Sequence, residues 1–149
     1  MEIQISHMPD HIDIDDEIDL RAVNADAYKA FEEIALENRE HLWDWMWWAE
    51  NIPNEGSVAH YETAPEKKAM NESSNWNIYI NGKMCGALSV LKREVTSTAL
   101  EIGYWLTKDA VGNGVVTRCT NVLVDLVFKE TDVPAIEIAC DKTNARSSA

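Results

Sequence analysis

Gly112 and Gly114 stand in a short turn between a strand-like segment, Leu100–Leu106, and an amphipathic segment that begins at Val115. Glycines let consecutive backbone N–H groups converge on one point, and the positive end of a helix dipole favours an anion at such a point. The spacing predicts a phosphate-binding turn, with an ordinary connection as the alternative. Thr117 stands where a dinucleotide fingerprint has its third glycine, and the turn has no P-loop lysine, so the phosphate contacts would come mainly from the main chain.

A helix and a mixed sheet are predicted to position this turn. Apolar residues recur on one face of residues 114–130 and predict a helix there: Val115, Cys119, Leu123, Leu126 and Val127. Alternating segments predict strands at Ile18–Val23, Trp76–Ile80, Lys83–Leu91, Thr98–Leu106 and Ala135–Cys140, with Asn81-Gly82 as a hairpin turn. This order predicts an α/β fold of mixed class, with antiparallel strands first and a βαβ crossover later.

Two more helices are predicted before the hairpin. Asn24 is a plausible N-cap for a helix from Ala25 to about Glu40. A second helix is expected within residues 57–71, where Pro65 indicates either a start near Thr63 or a break.

The chain has 149 residues and a formal net charge of −13, which suits one domain and argues against nucleic acid as a partner. The negative field favours cationic partners such as amines, or serves solubility alone. No apolar run reaches the roughly eighteen residues of a membrane span and the N-terminus is polar, so we expect a cytoplasmic protein with no membrane partner. Three cysteines in apolar runs are expected to be reduced: Cys85, Cys119 and Cys140. His7 and His11 flank Pro9, and no metal site is predicted.

Four groups of motifs occur in order along the chain: Leu20–Val23; Asn38–Trp45; Gly103–Leu106 followed by Gly112-Asn113-Gly114 and Thr117; and Asn144-Ala145-Arg146-Ser147. They resemble the first strand, the Asn-Arg-x-x-Leu-x-x-Trp segment, the Gly-Tyr-Trp-Leu strand with its Gly-Lys-Gly-like loop, and the Asn-x-x-Ser motif of GNAT N-acetyltransferases. The likeness is greatest to the ribosomal-protein N-terminal (serine/alanine) acetyltransferase branch and spans nearly the whole chain. Val111 and Val116 depart from the family's phosphate motif, and the chain stops at Ala149, where family members continue through a further helix and strands.

The resemblance implies one N-acetyltransferase-like domain over residues 1–149, incomplete at its C-terminal end. It implies a sheet that opens in a V between the strand ending near Leu106 and the strand ending near Cys140. The implied cofactor is acetyl-coenzyme A, with its pyrophosphate on the glycine turn and its thioester near the end of the first of these strands. The implied cofactor contacts are Tyr104, Trp105, Leu106, Thr107, Gly112, Asn113, Gly114, Val115, Val116, Thr117 and Asn144.

The resemblance also implies roles for residues around the opening. The acceptor is a primary amine, most favourably a protein N-terminal α-amino group, since its pKa of about 7.7–8.0 lies well below the value of about 10.4 for lysine. Glu101 is the candidate base, with a solvent-facing strand residue as the alternative interpretation and Glu137 as the second choice. Ser147 is the implied general acid, and Trp45 and Trp48 are the implied acceptor contacts.

Other functions stay open on the sequence alone. A small amine, such as a polyamine or an amino sugar, is the alternative acceptor. A non-catalytic module that binds coenzyme A, or a purely structural domain, is favoured by the two valines and the missing C-terminal elements. In the structural case the strand near Ile136 is an open edge that another copy of the chain would complete, giving a homo-oligomer.

Overall fold

The computed structural model describes residues 5–38, 40, 55–92, 99–131 and 135–138. Within them, six strands form one sheet whose spatial order follows the order of the chain. The strands are β1 (His11–Asp13), β2 (Ile18–Ala22), β3 (Ser73–Ile80), β4 (Lys83–Lys92), β5 (Ala99–Leu106) and β6 (Ala135–Ile138). Strands β1 to β5 pair antiparallel with their neighbours, and β5 pairs parallel with β6.

The described residues include three α-helices: α1 (Tyr28–Glu37), α2 (Glu55–Ala69) and α3 (Val115–Glu130). Helices α1 and α2 lie between β2 and β3 in the sequence. Helix α3 is the crossover between β5 and β6, as a parallel strand pair requires. The predicted mixed α/β fold, with an antiparallel meander followed by a βαβ unit, is therefore confirmed.

The β3–β4 hairpin turns at Asn81 and Gly82, whose φ angles are 50° and 82°. A two-residue turn with positive φ at both positions matches the twist of the flanking strands, and Asn-Gly adopts it at little cost. The predicted hairpin is confirmed.

Side-chain alternation gives the sheet two buried faces. One face, here the α3 face, carries Leu88, Leu100 and Ile102 and packs against the apolar stripe of α3. The stripe is the predicted one: Val115, Cys119, Leu123 and Val127 are buried and Leu126 is partly buried. The other face, here the α1–α2 face, packs against both early helices. Its buried cluster includes residues of α1, of α2 and of the strands: Phe31, Ala35, Tyr61, Ala64, Met84 and Trp105.

Asn24 caps the chain as it enters α1. Its Oδ1 accepts a hydrogen bond from the N–H of Asp26 at 3.0 Å, and a short 3-10 turn at Ala25–Ala27 leads into the α-helix. The predicted cap is confirmed, and the α-helical part begins three residues later than predicted.

Helix α2 runs through Pro65, so the predicted start or break at that residue is wrong. Proline removes one intrahelical hydrogen bond and crowds the preceding turn. Pro65 itself is exposed, whereas Tyr61 and Ala64 are buried against the sheet. Tertiary packing of this face outweighs the local cost of the proline.

Among the described residues, no helix combines the length and the apolar character needed to cross a bilayer.

Candidate active site

The described part of β6 pairs with the first half of β5 and ends at Ile138, the last residue that the structure describes. The register runs from Ala99 opposite Ala135 to Ile102 opposite Ile138. On its other side, β5 stays paired with β4 up to Leu106. Among the described residues, none pairs with Gly103, Tyr104 or Leu106 on the β6 side, where the family resemblance implies the V-shaped opening.

A β-bulge in β4 fixes the end of β5. Ile78 pairs with Gly86 and the next residue, Tyr79, pairs with Met84, so Cys85 is the extra residue. A Cβ atom at Gly86 would lie 2.3 Å from the carbonyl oxygen of Trp105. Only glycine permits this close approach of the two strands.

Residues 107–114, here called the glycine loop, join β5 to α3. The N–H of Thr107 donates to the carbonyl oxygen of Cys85 at 2.8 Å, and the carbonyl oxygen of Thr107 accepts from the N–H of Ala110 at 3.1 Å. The Nδ2 of Asn113 donates to the carbonyl oxygen of Asp109 at 3.2 Å. The loop is thus tied back to β4 at its start and folded on itself in the middle.

The end of the glycine loop is an open row of hydrogen-bond donors. Gly112 and Gly114 have φ angles of 90° and 68°, in the left-handed region that glycine occupies freely. A Cβ atom at either glycine would meet nothing within 4 Å. None of the N–H groups of residues 112–117 makes a hydrogen bond of good geometry to an acceptor in the part of the chain that the structure describes. Six donors thus gather at the positive end of the α3 dipole with open space in front of the two glycines.

The side chains around this row divide between core and surface. Val115 is buried in the α3 stripe and Val116 is half-buried, whereas Asn113 and Thr117 are exposed. Val111 offers no side-chain donor, so the anion-binding capacity of the turn comes from the main chain.

The strand residues predicted to bind the cofactor lie on opposite faces. Tyr104 and Leu106 pack against the cluster of the α3 face. Trp105 is 9% exposed and packs against Phe31 on the α1–α2 face in a T-shaped contact, with 5.8 Å between ring centroids. Its indole therefore belongs to the core, and its carbonyl oxygen lies on the β4 side beside Gly86. The N–H of Thr107 is already used by β4, which leaves its hydroxyl group as the donor for any further contact.

The two candidate bases stand side by side. Glu101 pairs in register with Glu137 across the parallel strands, in the last part of the described β5–β6 pairing. By strand alternation Glu101 lies on the α1–α2 face, as Trp105 does, and Gly103 lies between them. Glu101 is half-buried and Glu137 is exposed. A Cβ atom at Gly103 would meet nothing within 4 Å, so there is room on this face beside Glu101.

The thiols within reach of the loop are poor nucleophiles. Cys85 and Cys119 are both buried and carry no disulfide. Burial raises the pKa of Cys85 to about 11 and that of Cys119 to about 12. Both residues are therefore protonated near neutral pH, which disfavours an acetyl-cysteine intermediate at either of them.

A charged pair lies beside the first turn of α3. The Nε of Arg118 donates to Oδ2 of Asp15 at 2.8 Å, and Oδ1 of Asp15 accepts from the N–H groups of Glu17 and Ile18 at 2.9 Å each. These bonds, led by the one from the N–H of Glu17, lower the pKa of Asp15. One carboxylate of the acidic turn between β1 and β2 is thereby paired with a cation in the first turn of α3.

The sequence predicts no role in the site for Asn38, although this residue is the first of the family-like motif Asn38–Trp45. Its Oδ1 accepts from the N–H of Lys108 at 2.8 Å, across 70 residues of sequence. Its Nδ2 donates to the carbonyl oxygen of Ile34 at 2.8 Å. The motif could have indicated that Asn38 has a function, but its spacing does not reveal the contact with the glycine loop.

Four predicted site residues, and the last thiol, lie outside the described residues: Trp45, Trp48, Asn144, Ser147 and Cys140.

The family model for the acetyltransferase (GNAT) domain matches residues 17–149 of this chain. The chain is 23% identical over 139 residues to YdaF of Bacillus subtilis (strain 168), which is named as a candidate ribosomal N-acetyltransferase; the match covers 91% of this chain and 75% of YdaF. Among solved structures, RimL, a ribosomal L7/L12 α-N-protein acetyltransferase in complex with coenzyme A, superposes with a TM-score of 0.84 at 22% identity, covering 93% of this chain and 78% of RimL. The microcin C7 self-immunity acetyltransferase MccE, in complex with acetyl-coenzyme A and AMP, has a TM-score of 0.81 at 24% identity, covering 97% of this chain and 81% of MccE.

Since the domain match covers most of the chain, the protein belongs to the GNAT acetyltransferase family. The family resemblance and the prediction of an acetyltransferase are confirmed. The predicted cofactor agrees with the coenzyme A and acetyl-coenzyme A found in the RimL and MccE structures.

Proposed function

We propose that this chain transfers the acetyl group of acetyl-coenzyme A to the α-amino group of a protein N-terminus. The observation that carries the proposal is the row of six main-chain donors at residues 112–117, which the glycine loop places at the start of α3, after the end of β5. A pyrophosphate and an extended, amide-rich arm are the two parts of coenzyme A that such a row and a strand edge can bind.

The main chain holds the cofactor in this proposal. The N–H groups of residues 112–117 donate to the pyrophosphate at the positive end of α3, where the open space in front of Gly112 and Gly114 admits it. Main-chain groups of Gly103–Leu106 pair with the amides of the pantetheine arm as a further strand would. When bound, acetyl-coenzyme A supplies an activated thioester. A main-chain N–H near Trp105 stabilises the oxyanion that forms on the thioester carbonyl, an effect commonly of a few kcal/mol.

Two side chains transfer protons in this proposal, a base on β5 and a proton donor near the C-terminal end of the chain. Glu101 accepts a proton from the attacking amine, directly or through a water molecule, with Glu137 beside it as the alternative. Ser147 as the proton donor to the departing thiolate, Asn144 as a cofactor contact, and Trp45 and Trp48 as acceptor contacts all stay predictions from the family resemblance.

The choice of an α-amine has chemical and comparative support. At pH 7 about 14% of α-amino groups with a pKa near 7.8 are neutral, against about 0.04% of lysine side chains, so the base has far less work to do. RimL acts on a protein α-amino group, as its name states, and YdaF is named as a candidate ribosomal N-acetyltransferase. The formal charge of −13 attracts a cationic N-terminus.

Binding and transfer are tested separately. Acetyl-coenzyme A should raise the melting temperature of the protein. At a ligand concentration one hundred times Kd, binding adds about 2.7 kcal/mol to the free energy of unfolding. Release of coenzyme A thiol is then measured with three acceptors: a lysine-free peptide with a free N-terminus, an N-blocked peptide that contains lysine, and spermidine. Preferred turnover of the first peptide, with mass spectrometry placing the acetyl group on its N-terminus, supports the proposal. Preferred turnover of spermidine overturns the acceptor assignment, and binding without any turnover overturns the enzymatic one.

Glu101→Gln tests the base, with Glu137→Gln as the matched control. We expect Glu101→Gln to lower kcat at pH 7 while leaving cofactor affinity unchanged, and to recover part of the loss at pH 9, where an α-amine is already neutral. An equal kcat at pH 7 would remove Glu101 from the mechanism.

A further inference from the structure

The glycine loop has few attachments, and one of them is a side chain from a distant helix. Among the described residues, the bond from the N–H of Lys108 to Oδ1 of Asn38 is the one hydrogen bond that joins residues 108–114 to an element other than α3. The remaining bonds within this segment are local, and one of them is long: the N–H of Val111 lies 3.4 Å from the carbonyl oxygen of Lys108.

The side chain of Asn38 is held in one orientation by hydrogen bonds at both ends of its amide. Asn38 is the C-cap residue of α1. Nδ2 donates back to the last turn of α1 at Ile34, which orients the amide plane so that Oδ1 faces Lys108. A side chain held at its donor end loses little further freedom when its acceptor end makes the second bond.

The helix that carries Asn38 is itself anchored. Phe31 of α1 stacks on Tyr61 with 4.7 Å between ring centroids and meets Trp105 of β5 at 5.8 Å. Phe31 and Ala35 are 3% and 0% exposed. Through the Asn38 amide, the packed helix α1 therefore holds Lys108, the second residue of the loop.

We propose that Asn38 is a positioning residue for the cofactor: it fastens the start of the glycine loop to α1 so that the donors of residues 112–117 are held in the geometry that binds pyrophosphate. The inference rests on the proposed function of this loop. Asn38 touches neither the row of donors nor the strand edge in the structure, and it acts through Lys108. Loss of its bond should loosen the loop without changing the chemistry of the transfer.

The backbone geometry allows a direct test of the single bond. Lys108 is the first residue of a 3-10 turn, and Thr107 before it has φ −66° and ψ 157°. Proline is tolerated at the first position of a helical turn, and that extended conformation is the one that a residue before proline prefers. Lys108→Pro removes the N–H donor, and Lys108→Ala removes the same side chain but keeps the donor.

Asn38→Ala is compared with Asn24→Ala, which removes the cap at the other end of α1, far along the helix from the loop. The readouts are the Kd for coenzyme A by calorimetry, amide hydrogen exchange of residues 107–114 without cofactor, and the separate values of KM and kcat. We expect Asn38→Ala to raise Kd and the KM for acetyl-coenzyme A by about three- to tenfold, to speed exchange in the loop, and to leave kcat at saturation unchanged. Asn24→Ala should change none of these.

The double-mutant comparison isolates the bond. Asn38→Ala should raise Kd in the Lys108→Ala background and have no further effect in the Lys108→Pro background. An equal effect in both backgrounds, or an unchanged exchange rate in Asn38→Ala, overturns the inference. If the unmodified protein binds no coenzyme A, the proposed function fails, while the exchange rates of the loop still show whether Asn38 holds it. If Asn38→Ala does not fold, the Lys108→Pro and Lys108→Ala pair makes the same measurement, and equal exchange rates in that pair overturn the inference.

Discussion

Replacing Gly114 by alanine should weaken cofactor binding in addition to destabilising the fold. Gly114 has φ 68° and ψ 17°, and an alanine Cβ there would meet no atom within 4 Å. The cost to the folded state is therefore the left-handed conformation itself, about 1–2 kcal/mol for an L-residue. For a chain of this size that corresponds to a fall in melting temperature of roughly 2–8 °C.

The cost to binding has a different origin. Relief of the strained φ angle turns the peptide groups on either side of residue 114 away from their common direction. Loss of one hydrogen bond to a charged phosphate would cost about 1.5–3 kcal/mol, which is a rise in Kd for coenzyme A of tenfold or more. Calorimetry with coenzyme A, together with thermal unfolding of the free protein, measures both effects.

Gly82→Ala is the matched control for this experiment. Gly82 also has a positive φ, 82°, with no atom within 4 Å of a Cβ, but it lies in the β3–β4 hairpin. It should show a similar loss of thermal stability and an unchanged Kd. If the two variants bind coenzyme A equally well, the row of donors at residues 112–117 does not hold the pyrophosphate and the reasoning is refuted.

Three further predictions concern the scaffold. Gly86→Ala should lower the free energy of unfolding by about 1–3 kcal/mol, measured in urea, since its methyl group would be driven to 2.3 Å from the carbonyl oxygen of Trp105; an unchanged midpoint would contradict the close approach of β4 and β5. The folded-state pKa of Asp15 is lowered, first by the bond from the N–H of Glu17, so its contribution to stability is present above the unfolded pKa and lost as the pH falls through the folded value. Asp15→Asn should flatten the decline in stability as the pH falls below 3.8, the ordinary pKa of this side chain, and a parallel decline would disprove this role. Tyr61→Phe should cost about 1–3 kcal/mol in thermal or urea unfolding, because the buried Nδ2 of Asn77 now bonds to the tyrosine hydroxyl at 2.8 Å and would lose its partner; a fully stable variant would show that this bond is replaceable.

The site was predictable to the extent that its signals are local. The glycine turn and the start of α3 were read correctly because positive φ angles at Gly112 and Gly114 and an apolar stripe from Val115 are properties of a few consecutive residues. The roles of individual side chains were harder to predict from the sequence. Trp105 was placed at the cofactor, yet its indole packs in the core against Phe31, because only the helix above the sheet decides which strand residue is covered.

The sequence by itself determined the order of the elements, the Asn81-Gly82 hairpin, the crossover helix and the family, since these depend on short-range periodicity, turn chemistry and the order of motifs. Tertiary structure alone decided that α2 continues through Pro65, that Cys85 bulges so that Gly86 can meet β5, and that Asn38 reaches Lys108 across 70 residues. Each of these depends on contacts between segments far apart in the chain, and no local pattern encodes the packing that brings such segments together.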